Sequence, residues 1–313
     1  MKFIEPKVEL WEQGADMDAI WSHIARCVRV CYQSTPKNNN ENDEQFVKRV
    51  ILSHEPANSV ANHLAMLEHG TIYLTFLRYD HIDDYNFYNI NKYSKAIKKT
   101  PNGKTIYDQV AYITTNLRVL IENNRLNDLQ WLSEPTWHER RYTFCFTTNI
   151  GVSREFNRHR VNSIAEESTR FCNYSKKNDG QINIGLPVWL LDGDLDRLNK
   201  FNSSDWLAAI TQIAESSYDG IGELKYNVDY YGAALYFCNI CYNKLIERGW
   251  LPQQAREVLP LATKTQLVHT AFESDWRHFI ALRSEGVSGK PHPNAKLLGD
   301  QVAEILNKLL EVK

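Results

Sequence analysis

The sequence predicts an α+β fold, and three observations support this prediction. Helical periodicities dominate the chain, the β-rich segments are few and lie far apart, and no strand–helix–strand alternation recurs. The 313 residues are enough for one large domain or two moderate ones. The composition, with 43% apolar and 24% charged residues, is ordinary for a globular protein and argues against global disorder and against a fibrous repeat.

Local patterns predict the N-terminal elements. Residues 7–11 are β-rich, and Asp16 is placed to cap the helix that follows. The apolar face of that helix comprises Ile20, Ile24, Cys27, Val28 and Cys31. The polar stretch 34–43 predicts a loop, and a second helix is expected over 44–53.

Two β-rich segments, 71–77 and 141–148, flank a stretch of unusual composition. Residues 79–103 are crowded with Tyr, Asn and Asp, and a helical pattern follows. The apolar positions of that pattern are Val110, Ile113, Leu117, Leu120 and Ile121. We interpret residues 78–140 as an insertion between two strands that would otherwise pair, serving as a small lid or as an interface element.

The C-terminal half is predicted to be mainly helical. A short helix after residue 150 precedes a polar loop that runs to about residue 185. A helix over 205–219 is expected to be capped by Ser204 or Asp205.

A longer helix over 229–248 is expected to end at Gly249, a residue suited to the C′ position. Pro252 can open the next turn. The remaining elements are a strand over 261–270 and two helices over 273–283 and 295–310.

Charge and hydropathy exclude several classes of protein. The 36 Lys and Arg against 38 Asp and Glu give a net charge of −2, so the chain is not a general polyanion binder. No stretch approaches the ~20 uninterrupted apolar residues of a membrane span. The first 14 residues carry charges where a signal peptide would be apolar. We therefore expect a cytoplasmic protein that contacts neither membrane nor nucleic acid.

The six cysteines are expected to be reduced, because a chain of this length needs no disulfide framework. Cys238 and Cys241 form a C-x-x-C pair, which is found at metal and redox sites. The pair has no second ligand pair and lies within an apolar helical pattern. We interpret it as two reduced cysteines on a buried helix face, and we expect no metal.

Several motifs of ligand-binding proteins are absent from the sequence. It contains no G-x-G-x-x-G, no P-loop, no G-x-S-x-G and no H-E-x-x-H. If the protein binds a phosphorylated ligand, arginines must therefore hold it.

Arginines are concentrated in one region. Between residues 139 and 170 there are six of them and no lysine: Arg140, Arg141, Arg154, Arg158, Arg160 and Arg170. The guanidinium group offers planar, bidentate donors, which suits phosphate recognition. A salt-bridged helix face is the alternative, although adjacent cationic groups at 158–160 would point in different directions around a helix. A nucleic-acid-binding module is a further alternative, which the net charge and the absence of lysine disfavour.

The run from Arg158 to Arg170 resembles the signature of the flavin-dependent thymidylate synthases (the ThyX family), RHR-x-x-S-x-N-E-x-S-x-R. Seven of its eight fixed positions match, and Ala165 replaces the asparagine. The seven matching residues are Arg158, His159, Arg160, Ser163, Glu166, Ser168 and Arg170. Further segments resemble the family in the family's order: 25–34, 63–69, 255–260 and 276–283.

This resemblance implies a central antiparallel sheet flanked by helices, with 78–140 inserted between two central strands of a single catalytic domain over 1–313. It implies conversion of dUMP to dTMP, with methylene-tetrahydrofolate as the carbon donor and FAD, recharged by NADPH, as the hydride source. No enzyme nucleophile is expected, and none of the ten prolines precedes a cysteine as in the other thymidylate synthase family. A homotetramer with shared sites is implied, and a catalytically inactive flavin- or nucleotide-binding relative is the alternative.

The resemblance also implies roles for individual residues. Arg283 is the catalytic cation beside the pyrimidine. The residues implied to contact the substrate are Glu155, Arg158, Glu166, Ser168, Arg170, Arg256 and Arg283. Those implied to contact the flavin are His63, Arg158, His159, Arg160, Glu166 and His278.

Each assignment has a simpler alternative. His63 and His69 near Glu68 are compatible with ordinary satisfied histidines or with metal ligands. Arg283 near a helix C-terminus could complement the helix dipole, and Arg256 could form a surface pair with Glu257.

The sequence departs from the family at three positions. Ala165 removes an amide, and Phe272 stands where an asparagine often meets the flavin. Glu155 replaces a glutamine near the nucleotide phosphate, which a carboxylate would repel unless Arg154 or Arg158 held it.

Overall fold

The computed structural model describes residues 1–32, 40–176, 180–190, 192–219 and 224–311. The strands are β1 (Lys2–Ile4), β2 (Lys7–Trp11), β3 (Thr71–Leu77), β4 (Lys95–Lys99), β5 (Val110–Asn116), β6 (Arg141–Asn149), β7 (Ser163–Glu166), β8 (Asn183–Gly185) and β9 (Lys264–Phe272). The helices are α1 (Met17–Tyr32), α2 (Asp43–Ile51), α3 (Ile82–Ile90), α4 (Leu117–Glu122), α5 (Ile150–Phe156), α6 (Asp192–Lys200), α7 (Ser203–Asp219), α8 (Asn227–Glu247), α9 (Pro252–Ala255), α10 (Glu273–Ile280) and α11 (Pro293–Glu311). The α+β class is confirmed.

A four-stranded antiparallel sheet lies at the centre, in the order β2-β6-β9-β7. Alternate residues of β6 point to opposite faces, as the period of a strand requires. Phe144 and Phe146 pack with Trp276 of α10 in one hydrophobic cluster, whereas Cys145 belongs to a second cluster with α1. Both faces of the sheet are therefore buried under helices, as the sequence predicts.

The insertion differs from the prediction. The flanking strands β3 and β6 lie in different sheets, because β3 pairs with β5 of the inserted segment in a three-stranded sheet ordered β3-β5-β4. Residues 110–116, predicted as helical, form strand β5, and the helix begins only at Leu117. The β-branched residues of Val110-Ala-Tyr-Ile-Thr-Thr favour a strand, and the apolar spacing spans two successive elements.

The helix caps follow local side-chain chemistry. The predicted cap of α1 is confirmed, since Asp16 Oδ1 accepts a hydrogen bond from the backbone N–H of Ala19 at 2.8 Å. The predicted cap of α7 is wrong, because Asn202 Oδ1 accepts from the N–H groups of Ser204 and Asp205. Asp205 instead accepts from the backbone N–H of Asn202 at 2.8 Å, which completes a capping box.

Two further predictions need correction. The polar loop expected between α5 and residue 185 contains the short strands β7 and β8. Cys238 and Cys241 are free but only half-buried, because the buried side of α8 carries other residues. Most of the predicted loop 34–43 lies outside the described residues.

The remaining C-terminal predictions are confirmed. Helix α8 ends before Gly249, whose φ of +92° is a left-handed conformation that favours glycine. Pro252 occupies the first turn of α9. Strand β9, α10 and α11 follow, with a π-helical turn at Ala281–Glu285. Among the residues described, none of the helices combines the length and apolar character that a membrane span requires.

Candidate active site

A polar cleft of about 590 Å³ opens where β7 ends, and we call it the Ser168 cleft. It is bordered by the end of α1, the first turn of α5, the segment after β7, and the turn that follows α9. Its lining residues are Cys31, Ile150, Ser153, Arg154, Glu166, Glu167, Ser168, Thr169, Arg256, Glu257, Leu259 and Leu261. Three residues that the sequence assigns to the substrate, Glu166, Ser168 and Arg256, therefore line one cavity.

Backbone hydrogen bonds fix Ser168 at the edge of this cleft. Its N–H donates to the Cys31 carbonyl at 3.1 Å, and its carbonyl accepts from the N–H of Cys172 at 3.0 Å. Its Oγ accepts from the N–H of Arg170 at 3.2 Å. Because the hydroxyl oxygen is used as an acceptor, its own proton remains available to a ligand.

Two consecutive glutamates after β7 have different surroundings. Glu166 accepts at Oε2 from Asn157 Nδ2 at 2.9 Å and is half-buried at the cleft. The Glu167 side chain is only 4% exposed and pairs with Lys264 Nζ at 2.8 Å. Glu166 is therefore the carboxylate placed to accept from a ligand, whereas Glu167 is structural.

Ala165, which replaces the asparagine of the family signature, is buried. The residue is 1% exposed, lies in the hydrophobic cluster under α1, and pairs with Val268 of β9. In this chain the position of the missing amide belongs to the packed core.

Arg154 and Arg256 line the Ser168 cleft, and Arg170 contacts the adjoining helix α9. The distance from Arg256 Nε to Glu257 Oε1 is 3.9 Å, too long for a hydrogen bond, and 42% of the Arg256 side chain is exposed. Arg170 Nε donates to Gln253 on α9 at 3.1 Å, which ties it to the element that precedes Arg256. Arg154 of α5 is exposed at the cleft and was not assigned from the sequence. The lysine-free arginine run was the signal that could have identified it.

Cys31 also lines the cleft, but its surroundings oppose a thiolate. Burial raises the pKa of the Cys31 thiol to about 11, and the charge of Glu166 acts in the same direction. At neutral pH the group is a thiol and therefore a poor nucleophile.

Arg283 lies in a second cluster, in the π-helical turn after α10. Its Nε donates to His159 Nε2 at 3.1 Å, its Nη1 to Glu155 Oε2 at 3.0 Å, and its Nη2 to the Glu155 carbonyl at 2.7 Å. Burial lowers the pKa of the guanidinium, and the Glu155 charge opposes this shift. Glu155, assigned to the substrate from the sequence, thus contacts Arg283.

His159 is neutral in this cluster. Burial, followed by the charges of Arg283 and His278, lowers the pKa of His159 to about 4. Since Nε2 accepts from Arg283, the ring proton lies on Nδ1. The exposed His278 lies with its ring centroid 6.1 Å from that of His159.

Helix α5 links the two parts of the site. Its Ser153 and Arg154 line the Ser168 cleft, the next residue, Glu155, contacts Arg283, and Asn157 at its end contacts Glu166. Arg158 and Arg160 follow in an exposed turn. Two exposed cations on either side of His159 in the sequence suit the pyrophosphate of a dinucleotide cofactor.

His63 lies apart, in a recess of about 460 Å³. Tyr32 joins this recess to the segment after Ser168, because its ring centroid is 5.9 Å from that of His63 and 5.8 Å from that of Phe171. The group formed by the rings of His63, Tyr32 and Phe171 suits the binding of a planar ring such as a flavin or a pterin.

His69 does not join His63. It is fully buried, and its Nδ1 lies 2.8 Å from Thr270 Oγ1. Glu68 instead pairs with Arg118. Within the described ranges, no three His, Cys, Asp or Glu side chains gather as a metal site.

Phe272, at a position where the family often has asparagine, ends strand β9 and is 8% exposed. The Lys95 ammonium lies 4.5 Å from its ring centroid. Its side chain therefore packs against the insertion.

Comparison with known proteins gives a family match and similar solved structures. No curated protein shows significant similarity to the chain. A structure of the UMP/dUMP methylase PolB from Streptomyces cacaoi with 5-Br dUMP shares 15% identity at a TM-score of 0.41, with coverage of 99% of this chain and 93% of that one. A structure of thymidylate synthase X from Helicobacter pylori with FAD and dUMP shares 14% identity at a TM-score of 0.36, with coverage of 96% and 92%.

The family model of the thymidylate synthase complementing protein, Thy1, matches residues 135–310. This range is more than half of the chain, and it contains the arginine run, Arg283 and every lining residue of the Ser168 cleft except Cys31. The chain therefore belongs to the thymidylate synthase complementing protein family, the flavin-dependent thymidylate synthases, which are methyltransferases.

Proposed function

We propose that this protein methylates dUMP to dTMP, with methylene-tetrahydrofolate as the carbon donor, FAD as the hydride carrier and NADPH as the reductant. The observation that supports this most strongly is the convergence of Ser168, Glu166, Arg154 and Arg256 on one cleft. These groups offer a hydroxyl donor, a carboxylate acceptor and guanidinium donors. They match the phosphate and the sugar hydroxyl of a nucleotide.

The roles within the cleft follow from this chemistry. Arg154 and Arg256 contact the phosphate, together with Arg170 after a small movement from Gln253. Ser168 donates its free proton to the phosphate, and Glu166, oriented by Asn157, accepts from the sugar hydroxyl.

Activation of the pyrimidine is electrostatic in this proposal. The protonated Cys31 offers no nucleophile for C6. Arg283 instead places a fixed positive charge beside the ring, which favours the N3-deprotonated and more electron-rich form. A guanidinium suits this role because it keeps its proton at working pH.

The groups in and beside the Arg283 cluster, together with His63, fit FAD. When bound, the flavin supplies the hydride that completes the methyl group. Arg158 and Arg160 would hold its pyrophosphate, His159 and His278 would contact it from the Arg283 cluster, and His63 would lie near its face.

We further propose a homotetramer with sites shared between subunits. The His63 recess, the Ser168 cleft and the Arg283 cluster are separate features of one chain, and a second copy would bring complementary parts together. Dilution to monomers should then release flavin. A stable monomer that retains full flavin occupancy would refute this part.

Turnover decides between an active enzyme and an inactive relative. Purified protein with FAD, NADPH, methylene-tetrahydrofolate and dUMP should form dTMP, detected by chromatography, and should show a flavin absorbance spectrum. Binding of dUMP and flavin without dTMP formation would support the inactive relative. Protein that binds neither would refute the proposal.

A further inference from the structure

Arg283 donates three hydrogen bonds within the protein, and two of them go to one residue, Glu155. The side-chain carboxylate accepts from Nη1 at 3.0 Å, and the main-chain carbonyl of the same residue accepts from Nη2 at 2.7 Å. We propose that Glu155 is a positioning residue, which orients the Arg283 guanidinium and acts as its counter-ion, so that it limits the positive charge offered to the pyrimidine. This inference rests on the function proposed above.

The hydrogen-bond inventory shows what this arrangement leaves for a ligand. A guanidinium has five N–H donors. Three are used, by His159, the Glu155 carboxylate and the Glu155 carbonyl. One N–H on each terminal nitrogen remains, and its direction is set by the acceptors already in place.

The charges around Arg283 define the counter-ion. Glu155 is the carboxylate that acts on the guanidinium, and Arg158 is the like charge. His159 contributes a neutral acceptor, and His278 lies beyond it. The ion pair is also partly shielded, since only 17% of the Arg283 side chain and 33% of the Glu155 side chain are exposed. Removal of the Glu155 charge would therefore raise the electrostatic potential around the Arg283 guanidinium.

The same contact accounts for a carboxylate near the proposed phosphate site. A carboxylate free to face a phosphate would repel it, but this one pairs with Arg283 and is not among the residues that line the Ser168 cleft. Arg154, its neighbour in the helix, lines the cleft instead. Consecutive residues on α5 thus serve different parts of the site.

The positioning role is tested on the free protein, with His159 as the reporter. In Glu155→Ala, loss of the carboxylate should let Arg283 turn away, and His159 should then titrate at a higher pH. Loss of the Glu155 charge alone would shift this titration to lower pH, so the direction separates the two effects. Glu155→Gln keeps an oxygen acceptor for Nη1 and should not raise it. The measurement is NMR of ¹³C-labelled histidine, assigned with His159→Asn.

The counter-ion role is tested with bound 5-bromo-dUMP, whose ultraviolet absorbance reports ionisation at N3. Glu155→Gln should increase the N3 ionisation constant of the bound nucleotide about tenfold, because a nearby negative charge is removed while Arg283 stays in place. The control is Glu273→Gln, which removes the negative charge of the Arg277–Glu273 pair on α10 and should leave the constant unchanged.

The outcomes distinguish a failure of the roles proposed for Glu155 from a failure of the proposed function. A His159 titration in Glu155→Ala that is unchanged or moves to lower pH overturns the positioning role. An N3 ionisation constant in Glu155→Gln that is unchanged or decreases overturns the counter-ion role. A wild-type protein that binds no nucleotide overturns the proposed function and with it the counter-ion role, while the His159 experiment still decides the positioning role.

Discussion

Asn157 donates a hydrogen bond from Nδ2 to Glu166 Oε2 at 2.9 Å, and this contact ties the end of α5 to the end of β7. Helix α5 carries Arg154 toward the Ser168 cleft and Glu155 toward Arg283. The contact therefore fixes the position of the Glu166 carboxylate relative to α5, the helix that contributes to both parts of the site.

Replacement of Asn157 by alanine should weaken dUMP binding. The substitution removes a hydrogen bond to a charged acceptor, which is worth about 1.5–3 kcal/mol, and it frees Glu166 to move. We expect the Kd for dUMP, measured by calorimetry, to rise about tenfold or more. Asn202→Ala is the control, since it removes the α7 cap and should cost about 1 kcal/mol of stability with no change in Kd. Equal Kd values for wild type and Asn157→Ala would contradict this role.

Ser168 should behave as a binding group and not as a nucleophile. Ser168→Ala removes one hydrogen bond to a charged phosphate, so dUMP affinity should fall by about 1.5–3 kcal/mol while turnover remains measurable. Ser175→Ala, in the same segment, should retain wild-type affinity, because its hydroxyl donates to Asn173. Complete loss of turnover with unchanged nucleotide binding would show that Ser168 takes part in the chemistry.

Arg154 should recognise the phosphate in particular. Arg154→Gln should raise the Kd for dUMP and leave that for deoxyuridine nearly unchanged, because deoxyuridine lacks the phosphate. We expect the Kd for dUMP to rise five- to thirtyfold. This corresponds to about 1–2 kcal/mol, the free energy of a partly exposed hydrogen bond to a charged group. Arg248→Gln, on the exposed end of α8, is a matched control. Equal losses for dUMP and deoxyuridine would indicate a general effect on the cleft.

Stability should fall in acid because the core contains neutral histidines. Burial lowers the pKa of His23 to about 4 and that of His269 to about 3. Their unfolded values lie near 6.5, so only the unfolded chain takes up protons as the pH falls from about 6.5 toward 4 and 3. The contribution of these two histidines to the free energy of unfolding should be constant above pH 7 and decrease through this window, by up to about 3 kcal/mol for His23.

Urea titrations between pH 4 and 8 measure this effect. His23 Nε2 lies 3.1 Å from Thr143 Oγ1, so His23→Gln offers a hydrogen-bonding group that does not titrate. This variant should lose less stability in acid than the wild type. An identical pH dependence would show that His23 does not contribute.

The sequence predicted more of the fold than of the contacts within the site. Apolar periodicity located α1 and α11, because one buried face repeats along each of these long helices. It missed β7, a strand of four residues, since so short a segment shows no clear alternation. The apolar positions over 110–121 were interpreted as one helix, although they belong to strand β5 and to helix α4, which follows it directly.

The family resemblance implied that Glu166, Ser168 and Arg256 contact the same substrate, and the structure brings them to one cleft. The pairing of Glu155 with Arg283 had no such signal, because the two residues are 128 positions apart and their contact depends on how α10 packs beside α5. Only the folded chain shows that Glu155 contacts an arginine.

The central claim is that Arg283 activates the pyrimidine by its fixed charge and its geometry. Arg283→Lys keeps the charge but loses the planar group that contacts His159 and Glu155. The variant should retain its flavin absorbance, because Arg158, Arg160 and His278 remain. Arg277→Lys, an exposed arginine of α10 paired with Glu273, is the control and should behave as the wild type.

The most direct measurement is the rate of tritium release from C5-labelled dUMP by the wild type, Arg283→Lys and Arg277→Lys. The account predicts that Arg283→Lys releases tritium roughly 100-fold more slowly than the wild type, or slower still, with its flavin content unchanged. Release at the wild-type rate by Arg283→Lys would contradict it and would leave Arg283 as a residue that only packs against the end of α5.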